Sequence, residues 1–228
     1  MNKAIKFWDD QIVQGHVGSE IGEITNYLKN KNVTEISYID IGANVGKYFD
    51  LLSQNFKIKK TIMVEASPLL YQYMEEKFKN NLECLIYNYA ISDSNGKTYL
   101  DVSTLDWYLN KEDFDGINLG VSKISHGGLE VEMISGDDFF NKHVGDFINN
   151  VDFIKIDTEN RDYNILKTIN DIIKNLENKP YIIFEHNYHN DISYDEAKSI
   201  YEKFVAECDY DALPFDEVAG SVYLKPKK

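Results

Sequence analysis

Seven consecutive residues, Asp40-Ile-Gly-Ala-Asn-Val-Gly46, combine the features that let a backbone come close to a ligand. Glycine puts no side chain in the way, and asparagine accepts positive φ better than most residues. Downstream, Glu65 closes the apolar run Thr61-Ile-Met-Val-Glu65. A carboxylate at that point can accept hydrogen bonds from both hydroxyls of a ribose, so loop and acid together describe a nucleoside site. The loop reads G-A-N-V-G and does not fit the nicotinamide fingerprint G-x-G-x-x-G, which counts against a nicotinamide oxidoreductase. A lone D-x-G is an ordinary strand-end turn; its pairing with a terminal acid carries the information. A second set of groups, Asp157, Glu159, His186 and His189, lies in Val151-Asp-Phe-Ile-Lys-Ile-Asp-Thr-Glu159 and Phe184-Glu-His-Asn-Tyr-His189. Carboxylates and imidazoles take protons from hydroxyls. The same four could surround a divalent ion, the less favoured arrangement because nothing in their spacing fixes ligand geometry. Taken singly, each histidine reads equally well as a surface loop residue.

These groups need elements to position them. Ile36–Ile41 is a short β-rich run closed by Gly42, suited to a central strand buried on both faces. A helix from Gly46 leads to the strand ending in Glu65, and Ser67-Pro68 starts the next helix with a cap and a first-turn proline. Leu85–Ala90 reads as a third strand, Val151–Asp157 as the fourth and Tyr181–Glu185 as the fifth. Helices are expected before the first strand, capped by Ser19, over Asp137–Asn141, through Tyr163, Leu166, Ile169, Ile172 and Ile173, and over Tyr194–Cys208. Ser221–Leu224 is expected to close one edge of the sheet. Strands alternating with helices give an α/β fold, a doubly wound, mostly parallel sheet with helices on both faces.

Between the third and fourth strands, residues 91–135 break this rhythm. Asn95-Gly96 is a hairpin signal between Ile91-Ser92 and Thr98–Val102, and Gly116, Gly120, Gly127 and Gly128 mark irregular backbone. The segment reads as a β-hairpin and loop insertion lying over the site, with Trp107, Tyr108 and Phe114 as aromatic walls for an acceptor. The expected organisation is one domain, 1–228, with an N-terminal helical segment at 1–33.

The chain has 228 residues, 43% of them hydrophobic and 27% charged, a composition that supplies a large core. Its net charge of −14 opposes a nucleic-acid partner, since gripping phosphates needs a basic face. No apolar run approaches the ~20 residues of a membrane span. The opening MNKAIKFWDDQ has no apolar signal segment, and Cys84 and Cys208 have no metal-ligand spacing, so a cytoplasmic location is expected. Lys155 reads as a structural strand residue, and Asp137, Asp138 and Asp152 as capping or solvated acids.

Five segments, in order over about residues 36 to 186, resemble the FkbM family of methyltransferases. Tyr38–Gly46 is similar to the family's D-I-G-A-N-x-G, and Val64-Glu-Ala-Ser-Pro68 to its second-strand segment. Asn88-Tyr-Ala-Ile-Ser-Asp93 with Gly96 is similar to A-x-S-D-x-x-G, Ser135-Gly-Asp-Asp-Phe139 to T-L-D-D, and Val151–Glu159 to h-D-h-I-K-I-D-x-E. One departure stands out: the family's E-G-x-E is here Glu159-Asn-Arg-Asp162, with Asn160 in place of a glycine.

The resemblance implies a class I, Rossmann-like fold that binds S-adenosylmethionine (SAM) and methylates a hydroxyl of a small molecule or saccharide. It implies that Asp40, Gly42, Asn44 and Gly46 form the loop at the methionine end. Glu65 would hold the ribose, and Ala66, Ser67, Asn88 and Ala90 would flank the adenine. Asp157 and Glu159 would lie beside the sulfonium. Methyl transfer mainly requires alignment and exclusion of water. An alcohol nucleophile also needs a base; Asp157, Glu159, Glu185 and His186 stand at the right ends of strands, and Asp157 and His186 are favoured over Glu159. Three other functions stay open at this point: methylation of a protein or nucleic acid; a non-catalytic SAM-binding or assembly module, favoured only by Asn160; and a nicotinamide oxidoreductase on the same fold, weakened by the missing third glycine. The oligomeric state is not legible.

Overall fold

The computed structural model describes residues 16–101, 123–125, 128–187 and 192–227. Alternation of side chains sorts each central strand into two faces. In β1 (Glu35–Ile41), Ile36 and Tyr38 pack with Leu28 and Leu52 on one side, while Ile39 and Ile41 join Leu166 and Ile169 on the other. The first side is covered by α1 (His16–Asn30) and α2 (Lys47–Leu52). Helix α1 begins at His16, so Ser19 lies inside its first turn and is not its cap. After β2 (Lys57–Val64), helix α3 (Pro68–Phe78) starts on Ser67 as N-cap with Pro68 in the first turn, as its sequence predicts.

The expected third strand divides in two. β3 (Cys84–Tyr87) stays in the main sheet, whereas β4 (Ala90–Ser92) enters a second one. Between them the Asn88 side chain donates to the carbonyls of Glu65 (2.7 Å) and Ala66 (3.0 Å), which ties the diverging chain to the end of β2. The second sheet contains β4, β5 (Gly96–Asp101), β6 (Lys123–Ser125) and β7 (Leu129–Ser135), in the order β4-β7-β5-β6. Asn95-Gly96 therefore does not make a hairpin of its flanking strands, because β7 lies between β4 and β5. A tight I′ turn needs positive φ at both central residues, and Asn95 does not have it. Its side chain instead accepts the Ser135 N–H (2.9 Å) and donates to Asp138 (2.7 Å).

Ser135 caps the short helix α4 (Gly136–Phe139), followed by a π-turn and a 3₁₀ turn that return the chain to β8 (Phe153–Ile156). Helix α5 (Asp162–Lys174) buries Tyr163, Leu166, Ile169 and Ile173 against the second face of the sheet. β9 (Tyr181–Glu185), α6 (Tyr194–Glu207), β10 (Tyr210–Asp211) and β11 (Ser221–Pro226) complete the fold. The main sheet runs β10-β11-β9-β8-β1-β2-β3. β8, β9, β2 and β3 join β1 in parallel pairing, and β11 is antiparallel to β9. β11 does not form the edge as expected; the two-residue β10 lies outside it. Strand order reverses between β1 and β8, so the loops after these strands flank the crevice where ligands of doubly wound sheets bind. Among the described residues, no helix is long and apolar enough to cross a membrane.

Candidate active site

Backbone geometry at the end of β1 demands glycine. Gly42 sits at φ +79, and a Cβ there would fall 1.8 Å from the Asp157 carbonyl oxygen. The N–H groups of Gly42 and Ala43 both donate to the Val64 carbonyl at 2.9 Å, stitching the loop to β2. Asn44 takes φ +54, the left-handed conformation its type tolerates. Gly46, at φ +73, is the N-cap of α2, where a Cβ would meet the Phe78 ring at 2.5 Å.

Glu65 joins this loop to the next one. One carboxylate oxygen accepts the Asn44 N–H (2.9 Å), and the other accepts the Ser67 N–H (2.8 Å). Burial pushes its pKa up to about 7, despite the two N–H donors and Lys155, which pull it down. Each oxygen retains a second lone pair, so the carboxylate can still receive a pair of hydroxyl donors. Ser67 Oγ is buried and has no hydrogen-bond partner. Ala66 packs beside Ala90, Leu100 and Val131, so the second sheet stands against the Glu65 segment. This is where the resemblance has Ala66, Ser67, Asn88 and Ala90; the Asn88 amide is taken up by the two carbonyls described above.

Asp40 lies beneath the loop. It is fully buried and faces Lys155 on the neighbouring strand, in register, with Nζ 3.2 Å from Oδ1. Burial raises its pKa, partly offset by the lysine. The Lys155 ammonium also donates to the Gly42 carbonyl (2.6 Å) and lies 3.3 Å from the Asp157 carboxylate. Burial opposes its charge, but Asp40, Asp157 and Glu20 outweigh that and push its pKa up. Lys155 is thus a cation locked behind the loop, in keeping with a structural role.

At the ends of β8 and β9 the polar groups are looser. The Asp157 side chain is 45% exposed. Glu159 and Asn160 both have positive φ, +53 and +91. Asn160, standing where the family has glycine, keeps the backbone conformation glycine would supply, and its buried Oδ1 has no hydrogen-bond partner. Asp162, fully buried, accepts the Thr158 N–H at 3.4 Å and so ties the loop back to the start of α5. Burial, then Asp157 and Glu185, hold the Asp162 pKa far above the carboxylate range. His186 donates its N–H to the Gly220 carbonyl (2.7 Å), and its ring Nδ1 is hydrogen-bonded to the Tyr163 hydroxyl. Its ring also packs on Phe215, 4.8 Å between centroids. Tyr163 on α5 reads from the sequence as a core residue only; no motif signals its hydroxyl. The same holds for Glu20, which reaches from α1 to the Tyr48 and Ser221 hydroxyls.

His189, Trp107, Tyr108 and Phe114 lie outside the described residues. Among the described residues no cluster of three or more His, Cys, Asp or Glu is placed to hold a metal ion. Burial pushes both thiols up to about 12, so neither Cys84 nor Cys208 is a nucleophile at neutral pH.

Residues 40–212 match the Methyltransferase FkbM domain. The fold resembles that of the FkbM methyltransferase from Methylobacillus flagellatus KT, with TM-score 0.52 and 15% identity over 83% of this chain. This chain spans only 43% of that one. A protein from Streptococcus mutans, solved in complex with SAH, superposes with TM-score 0.50 and 12% identity over 93% of this chain and 98% of its own. An rRNA methylase from Streptococcus thermophilus gives TM-score 0.50 and 8% identity over 95% and 99%. No curated protein matches the sequence. At these identities the structural likeness speaks for the fold alone; the domain match, covering most of the chain, goes further, and the chain belongs to the FkbM methyltransferase family.

Proposed function

We propose that the chain transfers a methyl group from SAM to a hydroxyl of a small molecule or saccharide. The observation that carries this reading is the Glu65 carboxylate, buried at the carboxyl end of β2 next to the β1 loop, clamped by one N–H from each flanking loop and retaining lone pairs for a ribose. The site fits the cofactor at this carboxylate, where each oxygen already holds one N–H and keeps a lone pair for one hydroxyl of a ribose. When bound, SAM supplies a methyl carbon that already carries its leaving group. The protein's work is then to align the nucleophile, exclude water and accept one proton.

Parallel neighbours β8 and β9 present their carboxyl ends together, which brings Asp157, Glu159 and His186 to one edge. Asp157 has an exposed carboxylate held near Lys155, so it is available to an incoming hydroxyl while its position is restrained. His186 acts as a base in the tautomer whose Nδ1–H donates to the Tyr163 hydroxyl, because Nε2 is then the unprotonated nitrogen. Asp157 or His186 is the base in this reading, with Glu159 beside them in the strained loop. The net charge of −14 supports a small molecule or saccharide over nucleic acid as acceptor, and a cytoplasmic setting belongs to the same reading.

The test has two stages. Calorimetry with SAH should show saturable binding, and failure to bind would sink the whole reading. Turnover, followed as SAH released from SAM with a saccharide library as acceptors, should then fall by about 10²–10⁴-fold on removal of the base, with SAH affinity intact. If Asp157→Asn and His186→Ala both keep normal turnover, no base operates and alignment alone carries the reaction.

A further inference from the structure

A groove of about 570 Å³ runs along the outer edge of β11, walled by Ala212, Leu213, Val218, Ala219 and Tyr223. Its size falls within the ~300–1,000 Å³ of small-molecule clefts. Leu213, 60% exposed, leaves apolar surface in water along one wall. Beside it the sheet is open. β10 pairs only Tyr210 and Asp211 with Pro226 and Lys225, and short of these β11 has no strand on its outer side among the described residues.

The ladder register says which backbone groups face the groove. In an antiparallel pair, residues alternate between those exchanging both hydrogen bonds with their partner and those turned away. The His186 N–H donates to the Gly220 carbonyl, and β11 then pairs Ser221 with Glu185, Val222 with Phe184 and Tyr223 with Ile183. Val222 and Leu224 therefore point their N–H and C=O at β9, while Tyr223 turns its own outward, one donor and one acceptor side by side. That pair is the complement of a secondary amide.

The chain that leads into β11 separates the groove from the edge that holds His186. Gly220, which receives the His186 N–H, sits between groove residues Ala219 and Ser221, and Phe215, which packs on the His186 ring, lies between Leu213 and Val218. β11 runs antiparallel to β9, so its first residues stand at the carboxyl end of the parallel strands, where Asp157 also lies.

We infer that this groove seats the far end of the methyl acceptor, and that the acceptor carries a secondary amide next to an apolar chain, as an N-acylated amino sugar does. The amide pairs with the Tyr223 backbone, the acyl chain lies along Leu213, Val218 and Ala219, and the sugar hydroxyls extend past Gly220 towards His186. The inference rests on the proposed function, because it assigns the remainder of that reaction's acceptor.

The probe is N-octanoyl-D-glucosamine, added to the SAH-loaded protein and followed by calorimetry and saturation-transfer NMR. It should bind at least about tenfold more tightly than N-acetyl-D-glucosamine, because the longer chain buries more apolar surface. It should also bind more tightly than octyl β-D-glucopyranoside, which has the chain without the amide. Ala219 is exposed, so Ala219→Trp fills the groove without disturbing the core; it should weaken the probe by about tenfold or more and leave SAH affinity unchanged. No binding of the probe, equal binding of the three ligands, or indifference to Ala219→Trp overturns the inference. Loss of SAH binding in the unaltered protein is the separate result that would remove the proposed function itself.

Discussion

At the β1–β2 end of the site the polar groups are held by main chain, whereas at the β8–β9 end they are held by one another. Gly42, Ala43, Asn44 and Ser67 all contribute backbone N–H groups, two to the Val64 carbonyl and two to Glu65. Beyond β8 and β9, Asp157 leans on Lys155, Thr158 on Asp162, and His186 on Tyr163. The first arrangement fixes one shape and suits a ligand that never changes. The second leaves the Asp157 carboxylate exposed at the head of a loop with two consecutive left-handed residues, and suits a surface that must be fitted to a particular acceptor. Backbone-built sites are brittle to a single methyl group; side-chain-built ones tolerate it.

Gly42→Ala should therefore give the largest effect. Its Cβ would meet a backbone carbonyl that cannot rotate away, at a φ that alanine disfavours. The expected loss is about 3 kcal/mol or more in urea denaturation, with SAH binding abolished or severely weakened. A wild-type denaturation midpoint would show that the loop yields and is not fixed by main chain.

Glu65 offers a finer test of the same end. Its pKa stands near 7 against an ordinary 4.5. The unfolded chain releases this proton near pH 4.5 and the folded one near pH 7, so the folded state holds more protons across that window. Its contribution to stability, roughly 3 kcal/mol, is complete below pH 4.5 and is lost as pH rises through 7. Ribose hydroxyls favour the ionised form, so SAH binding should reverse this trend. Affinity should be about tenfold weaker at pH 6 than its plateau above pH 7, with a proton released on binding. Glu65→Gln should abolish the proton release, measured calorimetrically in buffers of different ionisation enthalpy, and weaken SAH by about 2 kcal/mol. Affinity independent of pH between 6 and 8 would place the ribose elsewhere.

The same contrast governs what the sequence discloses. The strand–loop–helix–acid series from Ile36 to Pro68 can be read directly, because glycine, asparagine, proline and a terminal acid each answer a local backbone demand. The central strands are equally legible, since their burial on both faces leaves continuous apolar runs. Sheet pairing across long distances is not. Nothing local in Asn95-Gly96 says that β7 will come between its flanking strands. Nor does the apolar pattern of α5 reveal that the Tyr163 hydroxyl reaches His186, or that Asp40 and Lys155 meet across strands under the loop. Those contacts depend on register and crossover, which only the folded sheet decides.

The smallest effect, opposite in sign, belongs to the β8–β9 end. Asn160 holds φ +91, and its amide oxygen is buried without a partner. An L-residue in that region costs ~1–2 kcal/mol relative to glycine, and an unsatisfied buried acceptor costs ~1–3 kcal/mol more. Against this, glycine adds backbone entropy to the unfolded chain worth ~0.5–1 kcal/mol. Loop strain should win, so Asn160→Gly should stabilise the apo protein by about 1 kcal/mol and raise Tm by roughly 2–4 °C. SAH affinity should not change, because Asn160 belongs to the loop after β8 and not to the main-chain cradle around Glu65. A fall in Tm would mean that the Asn160 side chain holds the loop together, and that the β8–β9 end is as tightly fixed as the β1–β2 end.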